Sequence, residues 1–257
     1  ITPILGAELN VARPGAAARV DHLVVLAASL AGYRNLVRLV TRSYTAPGSD
    51  EAPSVTLDQI AECSAGLVAL TGCLNGVVSQ AVLEGGADRA EPVLAALRDR
   101  FEAGHLFVEL QDHGFPEQRV LNEVLVAAAA RLDLPVVATN DVHFGAADDG
   151  EAQIYLDCIR KNTSYADERA AHHGSFAMYL KSPEAMAAGF RGMPEALKNS
   201  VVVAERCSGW KLTLGTPMLP QFPVPEGYDT DSYLAHLAND GLARRLGQLG
   251  RLGRRVD

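Results

Sequence analysis

The segment LPVVATNDVHF, residues 134–144, runs a stretch of apolar or small residues into Asn140, Asp141, Val142 and His143. At the end of an extended chain, a carboxylate and an imidazole two residues apart point to one side, because side chains there alternate with period two. That is half of a metal site. An isolated D-x-H is more often a strand-to-loop transition with an Asx turn, so the pair gains meaning only from partners. Partners of the right chemistry stand on other apolar runs: Glu8 in PILGAELNV, His22 opening HLVVLAA, and Cys73 closing GLVALTGC. Carboxylate, imidazole and thiolate are the side chains that bind zinc-like or manganese-like divalent ions. Each also has an ordinary structural explanation. Glu8 reads equally as a half-buried strand acid, though an acid between apolar neighbours is unfavourable unless paired or metal-bound. His22 reads as the first residue of a strand, and Cys73 as a small buried hydrophobe. For all five, those explanations would have to hold independently.

The elements that would position these residues are legible from periodicity. Apolar runs at 3–11, 22–28, 66–72, 105–110 and 134–139 are too short for a typical helix and rich in Val, Leu or Ile, and they read as buried strands. Helical patterns separate them. Leu30, Tyr33, Val37, Val40 and Tyr44 recur at three- and four-residue steps, PEQRVLNEVLVAAAARLD follows a proline suited to a first turn, and Thr56 with Gln59 resembles a capping box. Strand and helix in alternation indicate parallel βα units, in a barrel or a doubly wound sheet, with functional groups at the carboxyl ends of strands. Beyond His143, residues 148–160 and 194–207 read as helices. MYLKSPEAM reads as a short strand followed by a helix capped by Ser182 with Pro183 at its first position. TPMLPQFPVPEGYDT carries four prolines and reads as an extended connector. The last segment reads as a helix with five arginines near its end, most simply a solvated basic face.

The bulk numbers exclude some functions. With 257 residues and 48% hydrophobic content the chain can bury a large core, as one large domain or one domain and part of a neighbour. A net charge of −8 argues against a surface that grips nucleic acid by phosphate neutralisation alone, although a local basic strip remains open. Cys63, Cys73, Cys158 and Cys207 are scattered, without the paired spacing of a zinc knuckle or disulfide scaffold, which favours a reducing cytoplasm. No apolar run approaches the roughly 18–20 residues of a membrane span, so no membrane partner is expected. The chain opens within the apolar segment ITPILGAELNV, without Met, and closes in RLGRRVD within a helical pattern, so both ends are expected to be cuts in a longer protein.

Several longer phrases carry a resemblance: GAEL, DHLVVLA-x4-GYRNLVRLV, GLVALTGCLNG, VELQDHGFPEQRVLNEVL, LPVVATNDVHF, MYLKSPEAM, and LPQFPVPEGY followed by SYLAHLANDGL. Together they resemble the amino-terminal PHP (polymerase and histidinol phosphatase) domain of the bacterial DNA polymerase III alpha subunit, over nearly the whole chain. The resemblance implies a distorted (β/α)7 barrel truncated at its amino terminus, occupying 1–215. A Pro-rich connector at 216–228 and the helical start of a polymerase palm region at 229–257 would follow. It also implies a multinuclear centre of divalent Zn, Mn or Mg and, in metal-competent members, a 3′–5′ exonuclease that proofreads. Glu8 stands where the family has the Glu of its G-C-E segment, with Ala7 where cysteine is usual. His22 matches the His of H-L-x-x-L-A, Cys73 the cysteine of an L-S-A-C-like segment, and Asp141 and His143 the closing D-x-H. These five are the implied metal ligands, with Asp141 and His143 in catalytic roles. The family's initial H-x-H pair and following D-H motif are expected upstream of Ile1, and the nucleotidyl-transfer aspartates beyond Asp257.

His113 with Asp112 and Glu109 also falls in a family phrase; its role is left between support or lining of the site and turn chemistry. His172 and His173 read as solvent-facing, and Cys63, Cys158 and Cys207 as packing residues. Implied partners are DNA, through the parent polymerase, and replisome subunits such as a sliding clamp and a proofreading subunit. The alternatives are a non-catalytic PHP scaffold that docks a proofreading subunit and a stand-alone PHP phosphoesterase.

Overall fold

The computed structural model describes residues 2–13, 16–45, 53–171, 177–215 and 219–251. His172, His173, Arg254 and Arg255 lie outside the described residues. Two compact units divide the chain, Ile1–Leu212 and Thr213–Asp257.

The first unit is built on a five-stranded sheet in the order β1 (Gly6–Arg13), β2 (Ala16–Ala27), β3 (Leu67–Leu70), β4 (Leu106–Leu110) and β5 (Val136–Ala138). The parallel arrangement expected throughout holds only for β3, β4 and β5. β1–β2 and β2–β3 are antiparallel. The physical reason is the short link: β2 begins three residues after β1 ends, and a parallel return needs a crossover of a dozen residues or more. The sheet is therefore mixed α/β, and His22 does not open a strand but lies just past the middle of a reversed one. β3 and β4 are buried along their whole length, with Leu67, Val68, Ala69, Val108 and Leu110 fully enclosed. That burial explains why both read as continuous apolar runs without alternation.

Helices flank the sheet. α1 (Leu30–Thr45) forms where the periodicity predicts one, but its most buried stripe is shifted from the expected one, of which Tyr33 and Val40 pack against the core. Leu30, Val37 and Tyr44 are exposed, and the buried stripe is Gly32, Leu36, Leu39 and Ser43. Close approach decides the face: a Cβ at Gly32 would stand 1.8 Å from the carbonyl oxygen of Gly66, so only glycine lets the helix lie against the entry to β3. α2 (Leu57–Glu62) carries the expected capping box, with Gln59 N–H donating to Thr56 Oγ1 at 3.2 Å and Thr56 N–H donating to Gln59 Oε1 at 2.9 Å. α3 (Val77–Gly85), α4 (Ala90–Arg98) and α5 (Pro116–Arg131) follow, and Leu94, Leu97, Leu121 and Leu125 from α4 and α5 join the main core.

After β5 come α6 (Gly150–Lys161), α7 (Tyr165–Ala171), α8 (Pro183–Gly189) and α9 (Pro194–Ser208). Ser182 caps α8 by accepting from Ala185 N–H at 3.2 Å. The short strand expected at MYL reduces to one bridge, between Phe144 and Tyr179. α9 lies on β5, where Asn199 donates to Val136 O at 2.8 Å.

In the second unit, α10 (Thr230–Arg251) starts at Asp229, whose carboxylate accepts from Ser232 N–H at 2.8 Å. The preceding segment packs rings onto this helix: Phe222 and Tyr228 both lie against Tyr233, at 6.2 and 5.4 Å between centroids. Leu234, Leu237, Leu242 and Leu246 of α10 are exposed. No described helix is long and apolar enough to cross a membrane.

Candidate metal centre

Strand register builds the first part of the site. Glu8 pairs with Val24 across β1–β2, and His22 pairs with Asn10. Because Val24 and His22 share a face, Glu8 and His22 are diagonal neighbours on it, and Glu8 Oε1 lies 3.2 Å from His22 Nδ1. The opposite face of both strands is the core, where Leu9, Val11, Leu23 and Val25 are buried. The row continues across the sheet, since Val24 pairs with Leu70 and Leu70 with Phe107. Cys73 follows Leu70 by three residues. The turn that carries it is stitched to β2 by His22 N–H donating to Asn75 O at 2.7 Å, and closed by Gly76 N–H donating to Cys73 O at 2.8 Å. A Cβ at Gly76 would stand 2.2 Å from Thr71 O, so the turn requires glycine there. Cys73 Sγ thereby reaches 3.6 Å from His22 Nδ1.

One ligand atom each from Glu8, His22 and Cys73 fall within 4.8 Å of one another. Donors about 2.0–2.3 Å from a shared zinc-like ion are separated by no more than about 4.6 Å, a range that holds both measured distances. Carboxylate oxygen, imidazole nitrogen and thiol sulfur in one such cluster fit a divalent transition-type ion. Burial pushes the Cys73 thiol up to about 12, and the charges of Asp141 and Glu8 add to that rise. The thiol keeps its proton at neutral pH unless a cation stands beside it.

A loop builds the second part. β5 ends at Ala138, so Asp141 and His143 are not on an extended chain, and strand alternation does not set their relation. Asp141 instead adopts a left-handed backbone with φ 42°, a conformation aspartate tolerates better than most residues. Its carbonyl accepts from His143 Nδ1 at 2.7 Å, while the Asp141 carboxylate lies 3.9 Å from the same nitrogen. A carbonyl only accepts, so Nδ1 carries the proton and the lone pair of Nε2 is left for a ligand. Asn140 anchors the loop by donating to Ala177 O at 2.8 Å and Tyr179 O at 2.7 Å. His143 N–H donates to Met178 O at 2.8 Å. Cys73, Asp141 and His143 border one cavity of about 240 Å³, which makes Cys73 common to both parts. Asp141 and His143 stand outside the three-residue cluster itself.

Two buried groups hold the parts together. Glu109, near the end of β4, accepts at Oε2 from Gly72 N–H at 2.9 Å, and at Oε1 from Thr139 Oγ1 at 2.5 Å and Gln111 Nε2 at 3.1 Å. One carboxyl thus fixes the turn before Cys73 and the strand exit before Asp141. Burial pushes the Glu109 carboxyl up, against the downward pull of its three donors. His113 donates from Nε2 to Asn140 O at 3.1 Å and accepts at Nδ1 from Gln118 Nε2 at 2.9 Å. Burial holds its pKa down, so it is a neutral brace for the loop. Gln111, Asn140 and Thr139 escaped the reading of the sequence, and Glu109 was left without a fixed role. A signal for Glu109 existed, because LFVEL places an acid inside a continuous apolar run, as GAELNV does for Glu8.

Comparison with known proteins agrees with the motifs. Residues 1–113 match the family model described as PHP domain. The chain is 32% identical over 254 residues to the DNA polymerase III subunit alpha of Borreliella burgdorferi, covering 95% of this chain and 22% of that protein. It is 36% identical over 270 residues to the DNA polymerase III subunit alpha of Thermus aquaticus, covering 95% of this chain and 21% of that protein. It is 35% identical over 276 residues to the error-prone DNA polymerase of Symbiobacterium thermophilum, covering 100% of this chain and 24% of that protein. The chain thus spans roughly a fifth to a quarter of the length of these curated relatives.

Proposed function

We propose that this chain is the PHP region of a bacterial DNA polymerase III alpha subunit, and that its metal centre is a phosphoesterase site acting as a 3′–5′ exonuclease. The observation that carries the reading is the cluster of Glu8, His22 and Cys73 within 4.8 Å, next to a cavity bordered by Asp141 and His143. In this reading the five-stranded sheet is part of a distorted (β/α)7 barrel at 1–215. The segment 216–228 is a connector, and 229–257 begins the palm region. Polymerisation, and the partners DNA, sliding clamp and proofreading subunit, belong to the whole polymerase in the cytoplasm.

Glu8, His22, Cys73, Asp141 and His143 would hold divalent zinc, manganese or magnesium. Such ions supply Lewis acidity toward a phosphodiester and stabilise charge on its oxygens. The chain's own residues do the rest. His143 keeps its Nδ1 proton on the Asp141 carbonyl and so presents Nε2 in a fixed direction. Glu109 keeps the Cys73 turn and the Asp141 loop in register. The test is paired. In the full-length polymerase, without a separate proofreading subunit, Asp141→Asn and His143→Ala should each lower degradation of single-stranded DNA by about 10²–10³-fold while primer extension largely persists. Metal content is measured on the same preparations. Unchanged degradation in both variants would leave a non-catalytic scaffold as the better reading.

A further inference from the structure

Behind the β1–β2 hairpin, on the face away from Glu8 and His22, lies a side-chain network that the metal centre does not use. Asp21 precedes His22 on β2, so its side chain points to the opposite face, where it is buried. Its Oδ1 accepts from Arg13 Nε at 2.8 Å and from Arg13 Nη2 at 2.5 Å. The same guanidinium donates from Nη1 to both carboxylate oxygens of Glu84 on α3, at 2.9 and 2.7 Å, and from Nη2 to Gln80 Oε1 at 3.2 Å. Arg13 thus clamps the hairpin to α3 where strand pairing becomes irregular, between Ala12 and Arg13. The contact of Glu8 with His22 depends on which residues of the two strands pair, and the clamp opposes a slip that would part them.

Gln80 carries the network on to the third ligand. Its Nε2 donates to Leu74 O at 2.8 Å, and the amide is not free to turn over, because Arg13 can only donate and a carbonyl can only accept. Leu74 O belongs to the central peptide of the turn at residues 73–76, which closes with Gly76 N–H donating to Cys73 O. Turns of this kind have a second form, in which the central peptide is flipped and the third residue takes a positive φ. That third residue is Asn75, a type that tolerates a positive φ, yet in the structure it does not adopt one. Gln80 holds the Leu74 carbonyl in the unflipped form. A turn free to exchange between the two forms would leave Cys73 Sγ without a fixed place beside His22 Nδ1, 3.6 Å away.

We propose that Gln80, held by Arg13, is a positioning residue of the metal centre: it ties the hairpin that carries Glu8 and His22 to the turn that carries Cys73, and so fixes the thiol within the donor cluster. The assignment rests on the metal-centre reading and goes beyond it, because Gln80 acts through Cys73 while its own amide is occupied by Arg13 and Leu74. Two ties then hold the turn. The bond from His22 N–H to Asn75 O sets its distance from β2, and Gln80 sets the direction of its central peptide. The Leu74 side chain packs against the main core, which leaves its carbonyl as the part that a side chain must orient.

Cobalt(II) is the probe, because a thiolate ligand gives it a sulfur-to-cobalt charge-transfer absorption that carboxylate and imidazole do not. The full-length protein is titrated with cobalt as wild type, Gln80→Leu and Gln80→Glu, and each again in combination with Cys73→Ala. Gln80→Glu keeps an acceptor for Arg13 but has no N–H for Leu74 O, so it leaves the hairpin clamp in place and carries the test even where Gln80→Leu does not fold. Both substitutions should weaken cobalt binding about 10–100-fold and reduce the thiolate absorption, with the urea midpoint of Gln80→Glu close to that of the wild type. Without Cys73, neither should weaken binding further, because the effect of Gln80 passes through the thiol. An unchanged thiolate absorption and affinity in Gln80→Glu, or an equal loss with and without Cys73, would overturn the assignment and leave Gln80 a stabiliser of the hairpin alone. A wild type with no thiolate absorption at all would overturn the metal-centre reading itself, and the assignment with it.

Discussion

The two parts of the candidate centre are held in place by different physics. Glu8 and His22 sit on an antiparallel ladder, where each side chain's position follows from backbone pairing on both sides of it. Asp141 and His143 sit on a loop beyond β5, where a left-handed residue and side-chain bonds from Asn140 and His113 do the same work. A ladder tolerates loss of one side chain because many backbone bonds share its geometry. A loop held by a few side chains loses its geometry with any one of them. The comparison teaches that the ligands are exposed to mutation in different ways, directly in the strands and at a distance in the loop.

Removal of a ligand from the ladder should have the largest effect. His22→Ala leaves β2 paired but takes away the nitrogen that faces both Glu8 and Cys73. Metal affinity, read by titration against a competing chelator, should fall by more than the ~10–100-fold that loss of a supporting partner costs. A fall of less than about tenfold would place the ion elsewhere.

Glu109→Ala should damage both parts at once. It leaves the Gly72 N–H and the Thr139 hydroxyl without their buried acceptor, at a cost of about 2–5 kcal/mol in denaturant unfolding. Metal binding and the proposed exonuclease activity should fall together. A variant that lost stability but kept both would show that the carboxyl only packs the interior.

His113→Ala sharpens the contrast, because it touches the loop alone. It removes the donor to Asn140 O and strands Gln118, while the Glu8–His22–Cys73 cluster is untouched. Exonuclease activity should drop about tenfold with metal affinity at the cluster nearly constant. Equal loss of both would mean that the two parts are not separable.

The smallest effect is one of pH. The Cys73 thiol is raised to about 12 in the folded chain, against about 8.5 in an unfolded one. Between these values the unfolded state has released a proton that the folded state retains, so metal-free stability falls as pH rises. The urea midpoint should therefore decline above about pH 8.5, less steeply in Cys73→Ala. A bound divalent ion reverses the sign for this group, and its uptake near neutrality should release a proton that the same variant does not release.

Local rules reach far into this protein. The capping box at Thr56, the Ser182 cap and the buried strands β3 and β4 depend on residues within a few positions of one another, and they stand where periodicity and capping chemistry place them. Helix α1 shows the limit. Its existence was legible in the three- and four-residue recurrence of apolar residues, but its most buried stripe was not, because that stripe is chosen by the approach of Gly32 to Gly66, a contact between residues 34 positions apart. The mixed direction of the sheet was missed for a related reason, since strand–helix alternation suggests parallel units while the short link between β1 and β2 allows only a reversal.

The candidate residues divide in the same way. Sequence by itself determined which groups have ligand chemistry, because carboxylate, imidazole and thiol on apolar runs are conspicuous wherever they fall. Only the tertiary structure decided how they meet: the register that makes Glu8 and His22 diagonal neighbours, the turn that turns Cys73 toward them, and the backbone twist at Asp141. It alone reveals Glu109, Gln111 and His113 as the braces behind them, since a buried hydrogen bond is defined by what surrounds it and not by the residue that makes it.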